Sequence, residues 1–181
     1  NAMRLSRPAG KAIYPHNDVD GLQEALESWK GKAKRALVVT DGIFSMRGDH
    51  APLKRIQEIC RAYDEHFPEN VVLLVDDSHG VGAFGPTGRG VEEYEGADPV
   101  DVLVGTLGKA FGVNGGYVTG SASLIRFLRE SSPMYIYSNP ITPGEANAAL
   151  ASLHLLDSAE GRALLTHLRA MTKRFEDGLR K

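Results

Sequence analysis

Two stretches of the chain, at 36–39 and 71–75, are continuously apolar, and a third at 100–104 is broken only by one Asp. Short apolar runs without polar alternation are typical of strands that are buried on both faces of a sheet. A fourth strand is predicted over 115–119, and a fifth over the aromatic and aliphatic residues 134–137.

Before, between and after these strands, apolar residues recur every three or four positions, which is typical of helices with one buried face. The predicted helices span 18–29, 52–63, 121–129, 145–156 and 162–179. Because strands and helices alternate, we predict an α/β fold, in which a mostly parallel sheet carries helices on both faces.

Composition narrows the class of protein. The 181 residues are 42% hydrophobic and 24% charged, with a formal net charge of −2, which is typical of a globular domain and gives no basic surface for nucleic acid. No apolar run is long enough to cross a membrane. The single cysteine, Cys60, falls in a helical pattern and is interpreted as a small buried hydrophobe, and the lack of a disulfide favours a cytoplasmic location.

Polar residues collect where the predicted strands end, which is where α/β sheets bind ligands. They are Ser45, Asp76, Asp77, Ser78, His79, Thr106 and Lys109. Asp76 follows an apolar strand, so its carboxylate needs a cation or hydrogen-bond donors, and capping of nearby backbone amides is one interpretation. A metal site at Asp76, Asp77 and His79 is another, but no further cluster completes a ligand set.

Lys109 lies in the stretch G-T-L-G-K-A-F-G at 105–112, just after the third strand. A lysine buried among small residues tends to lose its proton and become nucleophilic, and we expect that of Lys109. An amine, a carboxylate at Asp76 and a histidine at His79 on neighbouring strand ends suit an aldehyde cofactor with a pyridine nitrogen. Pyridoxal 5′-phosphate is therefore the expected cofactor, and no metal is expected.

Six stretches together resemble the α-oxoamine synthase family of fold-type I pyridoxal-phosphate enzymes. They are T-D-G-I-F-S-M-R-G-D at 40–49, V-D-D-S-H-G-V-G at 75–82, G-R-G at 88–90, T-L-G-K-A-F-G at 106–112, G-G-Y at 115–117 and Y-S-N-P at 137–140. The resemblance is strongest to glycine C-acetyltransferases (2-amino-3-ketobutyrate CoA ligases), with 8-amino-7-oxononanoate synthases nearby.

The resemblance implies a role for each matching residue. Lys109 is the Schiff-base lysine, Asp76 pairs with the pyridine nitrogen, His79 and Ser45 lie near the phenolic oxygen, and Thr106 binds the phosphate. For Ser45, a hydrogen bond within its own loop remains an alternative.

Three further residues match weaker parts of the family pattern. Ser78 is expected under the cofactor ring, and Ser138 and Asn139 resemble a pair that reaches the cofactor phosphate of the neighbouring subunit, which implies a homodimer. Asn139 precedes Pro140, so a simple turn residue is the alternative.

The resemblance also implies a domain layout. Residues 1–13 are interpreted as a cloning remnant followed by a loose lead-in, 14–142 as the central part of the cofactor-binding large domain, and 143–181 as helices that lead towards a small domain. The family's upstream phosphate-binding turn and stacking histidine, and its downstream small domain, have no match in the chain. We therefore expect this stretch to be part of a large domain and inactive by itself.

The family implies an acyltransferase that condenses glycine, or another small amino acid, with an acyl-CoA to give an amino-ketone. An aminotransferase on the same scaffold is the first alternative, because it uses the same lysine and aspartate. A non-catalytic fragment that binds the cofactor or mediates oligomerisation is the second.

Overall fold

A computed structural model describes residues 2–180, and its centre is a mostly parallel sheet. The strands are β1 (Ala36–Asp41), β2 (Ile43–Phe44), β3 (Asp49–His50), β4 (Val71–Asp76), β5 (Val102–Thr106) and β6 (Gly116–Gly120). The main sheet has the order β1–β4–β5–β6, with β1, β4 and β5 parallel and β6 antiparallel to β5, whereas β2 and β3 form a separate hairpin. The predicted α/β class is confirmed.

Helices lie before, between and after the strands; the five predicted helices are present, and three short ones, at 2–5, 91–95 and 133–136, were not predicted. The helices are α1 (Ala2–Leu5), α2 (Val19–Trp29), α3 (Leu53–Tyr63), α4 (Val91–Glu95), α5 (Ala122–Ser131), α6 (Pro133–Ile136), α7 (Pro143–Leu156) and α8 (Ala159–Leu179), with a 3₁₀ turn over Asp64–His66. Side-chain caps set several starts: Asp18 accepts from the Gly21 amide at 3.0 Å, and Thr142 forms a capping box with Glu145.

The prediction of a fifth strand over 134–137 is wrong. These residues have strand-forming side chains, but Ser132 and Pro133 begin the single helical turn α6, and the amides of Ile136 and Tyr137 bond back to the carbonyls of Ser132 and Pro133. Proline at the first helical position fixes φ for a helix, and this local preference exceeds the strand propensity of the side chains.

The lead-in is also more ordered than predicted. Residues 2–5 form α1, and the Lys11 ammonium donates to the carbonyls of Met3 and Ser6 at 2.7 and 3.0 Å. Gly10 lies so close to the ring of Trp29 that an added Cβ would come within 1.8 Å of it. The segment is therefore held by a helix C-cap and by packing on α2.

The core lies between one face of the sheet and helices α2 and α3. Val71, Leu73 and Val75 of β4 alternate inwards and belong to the same buried cluster as Leu53 and Ile56 of α3. Cys60 belongs to this cluster too, and burial raises the pKa of its thiol to about 12, which confirms a small buried hydrophobe. The alternate residues of β4, which end at Asp76, are half-buried on the opposite face.

Residues 2–180 lack a membrane-spanning helix and a metal-binding group. None of the helices in that range is both long and apolar enough to span a lipid bilayer. Across the same range, no three His, Cys, Asp or Glu side chains come together as a metal-binding group.

Candidate functional site

The predicted polar edge exists, because the parallel strands end side by side. In the register, Asp41 at the end of β1 pairs with Asp76 at the end of β4, which pairs with Val104, two residues before the end of β5. The Asp76 carboxylate is half-buried, and its Oδ1 accepts the amide of Ser78 at 3.0 Å. This bond fixes the carboxylate and leaves its other oxygen for a ligand, so capping and ligand binding are compatible.

Three titratable groups interact at this edge. Partial desolvation and the neighbouring Asp76 carboxylate raise the pKa of Asp41, and the nearby His79 ring opposes part of that effect. Sequence reasoning assigned no role to Asp41, although its place at the end of the neighbouring strand was the available signal. The edge therefore presents two adjacent carboxylates and an imidazole.

Thr106 shapes the loop that carries Lys109. Its hydroxyl donates to the carbonyl of Gly115 at 3.2 Å and accepts the amide of Gly108 at 3.1 Å. Backbone bonds from Leu107 to Gly115 and from Val113 to Leu107 close the same loop. The lysine is thus carried on a closed loop whose two ends meet at the end of β5.

The small residues around Lys109 allow another loop to pack against it. Gly82, with φ +82°, approaches so closely that an added Cβ would lie 2.4 Å from the Cβ of Ala110. The hydroxyl of Ser152 in α7 also donates to the carbonyl of Phe111 at 2.9 Å. Neither contact follows from local sequence, because the partners are far apart in the chain.

The prediction of a buried Lys109 is wrong for the chain as described. Gly108, Lys109 and Ala110 are all exposed, since the loop lies outside the edge of the sheet. The small neighbours serve the packing of Gly82, and they do not enclose the ammonium group.

The remaining predicted residues lie around this edge at different depths. Ser78 is half-buried, whereas His79 is exposed, in the turn after β4. Ser45 is exposed at the turn of the β2–β3 hairpin, which starts immediately after Asp41 and Gly42.

Ser138 and Asn139 are exposed in the segment after α6. Close by in the chain, Ile141 packs so tightly on Gly115 that an added Cβ there would lie 2.5 Å from its Cγ2. At about 3.3 Å per residue, the Cα atoms of Ser138 and Asn139 lie within roughly 10 Å of the Cα of Ile141, which contacts the end of the lysine loop.

The donor set of this edge fits pyridoxal phosphate. It offers an accessible primary amine at Lys109, a half-buried carboxylate at Asp76, and the hydroxyl of Thr106 beside the exposed residue Gly108. A cavity of about 330 Å³ lies at the opposite edge, beside Cys60 and Asp101, and holds none of these groups.

Comparisons with known proteins agree with this assignment. The family model described as "Aminotransferase class I and II" matches residues 2–181. An 8-amino-7-oxononanoate synthase of Geobacter sulfurreducens is 42% identical over 93% of this chain and 41% of its own length. The serine palmitoyltransferase of Sphingomonas wittichii superposes with a TM-score of 0.80 at 33% identity, over 92% of this chain and 40% of that one.

A further solved structure carries the cofactor in its description. It is described as SPT with the PLP internal aldimine, has a TM-score of 0.68 and 34% identity, and is matched over 81% of this chain and 35% of its own. The chain thus spans about two fifths of the length of the relatives that it matches.

The chain belongs to the aminotransferase class I and II family. Its relatives are α-oxoamine synthases, which depend on pyridoxal phosphate, so the predicted family, fold and cofactor are confirmed. The roles of the individual site residues remain predictions.

Proposed function

We propose that this chain provides the cofactor-binding centre of an acyltransferase that joins glycine, or another small amino acid, to an acyl-CoA. The observation that carries the proposal is that Asp76, Thr106 and the Lys109 loop lie together at the edge of the sheet formed by the C-terminal ends of the parallel strands. The relatives' names support it: 8-amino-7-oxononanoate has an amino carbon beside a ketone carbon, and a serine palmitoyltransferase moves an acyl group to an amino acid.

Bound pyridoxal phosphate would supply an electron sink for a carbanion at Cα of the amino acid. Lys109 Nζ would bind the cofactor aldehyde, yield that place to the amino acid, and then remove the Cα proton. Asp76 would keep a proton on the ring nitrogen, and the Thr106 hydroxyl would bind the phosphate. Ser45, Ser78 and His79 would contact the ring and its phenolic oxygen.

In the acyl transfer, one bond forms and one bond breaks. The Cα carbon bonds to the thioester carbonyl carbon, the C–S bond breaks, and coenzyme A leaves as the thiol. The immediate product would be an α-amino-β-keto acid, which becomes the simple amino-ketone when its carboxylate leaves as CO2, and Lys109 would regain its place.

The assembly and the domain layout are part of the same proposal. Ser138 and Asn139 would serve the cofactor phosphate of a second subunit in a cytoplasmic homodimer, where no nucleic acid or membrane takes part. Residues 14–142 would form the central cofactor-binding part and 143–181 the helices leading to a small domain. The 181-residue chain alone is expected not to release coenzyme A.

The test uses the protein expressed from its complete gene, with added pyridoxal phosphate. We expect thiol release that requires both glycine and acetyl-CoA, is abolished by Lys109→Ala, and falls by roughly two to four orders of magnitude in Asp76→Asn, as on loss of one electrostatic stabiliser. Accumulation of pyridoxamine phosphate with the amino acid alone would instead identify an aminotransferase. Near wild-type turnover in Asp76→Asn would make Asp76 a structural residue.

A further inference from the structure

Asp77 is a buried carboxyl that the proposed chemistry does not use. It directly follows Asp76, yet its side chain is only 1% exposed. Oδ2 accepts the amide of Val91, the first residue of α4, at 2.8 Å, and Oδ1 is buried without a hydrogen-bond partner among the described residues. Burying a carboxyl with an oxygen that lacks a hydrogen bond costs folding free energy, so its retention calls for a structural explanation.

Three glycines from separate segments surround this carboxyl. A Cβ added at Gly42 or Gly80 would lie 2.5 and 2.1 Å from Oδ1, and one at Gly90 would lie 1.8 Å from Oδ2. Real Cβ atoms do not come so close, so each segment can reach the carboxyl only with glycine at that position. Glycines therefore pack against both carboxylate oxygens, and the Val91 amide forms a hydrogen bond to Oδ2.

Each of these segments leads to a predicted site residue or to a boundary of the site. Gly42 starts the hairpin that carries Ser45, Gly80 closes the turn that carries Ser78 and His79, and Gly90 precedes α4.

The backbone of Asp77 extends the same connections. Its amide donates to the carbonyl of Val104 in β5 at 2.8 Å, and its carbonyl accepts from Gly80 and Val81, both at 3.0 Å. Asp77 therefore links all three segments with Val104 of β5, which lies two residues before Thr106.

We propose that Asp77 is a positioning residue, whose buried carboxyl sets the spacing between the Ser45 hairpin, the Asp76–His79 turn and the start of α4. The inference rests on the proposed function of this edge as the cofactor site, but the spacing itself can be measured without cofactor.

The charge of this carboxyl is sensitive to pH near neutrality. Burial raises the pKa of Asp77 to about 6, the amide of Val91 opposes that shift, and Glu92 and Asp76 add to it. On β6, Asp77 in turn contributes to the raised pKa of Tyr117, behind desolvation. The titratable groups that interact with this carboxyl are therefore Glu92 on α4, Asp76 on β4 and Tyr117 on β6, and each of them is an acid.

The first test is amide hydrogen exchange on the 181-residue chain without cofactor. Asp77→Ala should accelerate exchange roughly tenfold or more in segments 41–44, 77–81 and 90–92, as on loss of a buried hydrogen bond. Residues 71–75 of the core strand should continue to exchange more slowly than these segments. Asp77→Asn, which keeps an acceptor for the Val91 amide, should restore most of the protection. Asp64→Ala is the matched control, because Asp64 Oδ1 accepts the Val71 amide at the other end of β4.

The pH dependence gives a second measurement, which does not depend on Asp77→Ala being folded. After correction for intrinsic rates, wild-type protection in the three segments should change across about pH 6, and Asp77→Asn should show no such change. Uniform acceleration across the chain in Asp77→Ala, or identical pH profiles in wild type and Asp77→Asn, would overturn the proposal.

Cofactor binding separates this inference from the proposed function. If wild type binds pyridoxal phosphate, Asp77→Ala should shift the visible absorbance band of the lysine-bound cofactor and weaken binding, and Asp77→Asn should restore both. A wild-type chain that does not bind the cofactor would reject the proposed function, while the exchange measurements would still decide the role of Asp77.

Discussion

Asp76 and Asp77 are adjacent in the chain but occupy different environments. Asp76 ends β4 on the half-buried face and accepts one backbone amide, whereas Asp77 leaves the strand and is enclosed by glycines. Strand alternation accounts for the first position, because it places Asp76 opposite the face that packs on α3. The burial of Asp77 could not be predicted, because it depends on Gly42 and Gly90, which reach it from other segments.

The buried carboxyl makes stability depend on pH with a definite sign. The pKa of Asp77 is raised from 3.8 to about 6, so between these values the unfolded chain has lost this proton and the folded chain has kept it. The free energy of unfolding should therefore fall as pH rises from about 4 to about 6, by roughly 3 kcal/mol at about 1.4 kcal/mol per unit.

Denaturant titrations of wild type and Asp77→Asn between pH 4 and 7 measure this effect, since other groups cancel in the difference. We expect the wild type to lose stability relative to Asp77→Asn over that range. A difference that is flat, or that rises with pH, would show that the carboxyl is solvated or paired.

At the scale of elements, polar contacts hold the base of the β2–β3 hairpin from two directions: from residues 16–17, before α2, and from α4. His16 Nε2 lies 2.8 Å from Asp49 Oδ2, and the Asn17 side chain donates to the carbonyl of His50 at 2.9 Å. On the far side, His50 Nε2 lies 2.8 Å from a Glu95 carboxylate oxygen in α4. The turn that carries Ser45 is thus exposed but fixed at its base.

Asp49→Ala should loosen this hairpin. The bond to His16 holds the pKa of Asp49 below its usual value, so its contribution is present above about pH 4 and is lost as pH falls through the lowered value. Tryptic cleavage after Arg47, in the hairpin turn, should become several-fold faster near neutral pH. Glu58→Ala, which breaks only an exposed pair with Arg55, is the control, and equal cleavage in both variants would contradict this anchoring.

Elements were predicted well where burial and local preference agree. The strands at 71–75 and 102–104 consist of buried and half-buried residues and coincide with apolar runs in the sequence. The segment 134–137 failed because its side chains favour a strand while Pro133 fixes a helical turn. The edge that gathers Asp76 and Thr106 followed from parallel order alone, whereas the exposure of Lys109 depends on how Gly82 and Ser152 pack on its loop.

The molecule as a whole leaves large apolar side chains exposed next to the Ser138–Asn139 segment. Met134 is 76% exposed and Tyr137 88% exposed, both in or beside α6. Exposed apolar clusters of this kind favour association, and the proposed homodimer places Ser138 and Asn139 near the contact.

Light scattering should therefore report a species heavier than the 19.6 kDa monomer at micromolar concentration. Replacing Met134 and Tyr137 together by Ser should shift it towards the monomer. Phe175→Ser, which changes an exposed aromatic residue on α8, should not. A monomeric wild type, or equal effects of both variants, would contradict a dimer contact at α6.

The central claim is that Lys109 is the cofactor lysine, and borohydride trapping tests it most directly. The 181-residue chain is mixed with pyridoxal phosphate, reduced and digested, and the labelled peptide is identified by mass spectrometry. We predict one label per chain on Lys109, together with a visible absorbance band that is lost in Lys109→Ala and retained in Lys32→Ala, the matched exposed lysine. Label on Lys11 or Lys32, or label spread evenly over the lysines, would contradict the assignment of this edge as the cofactor site.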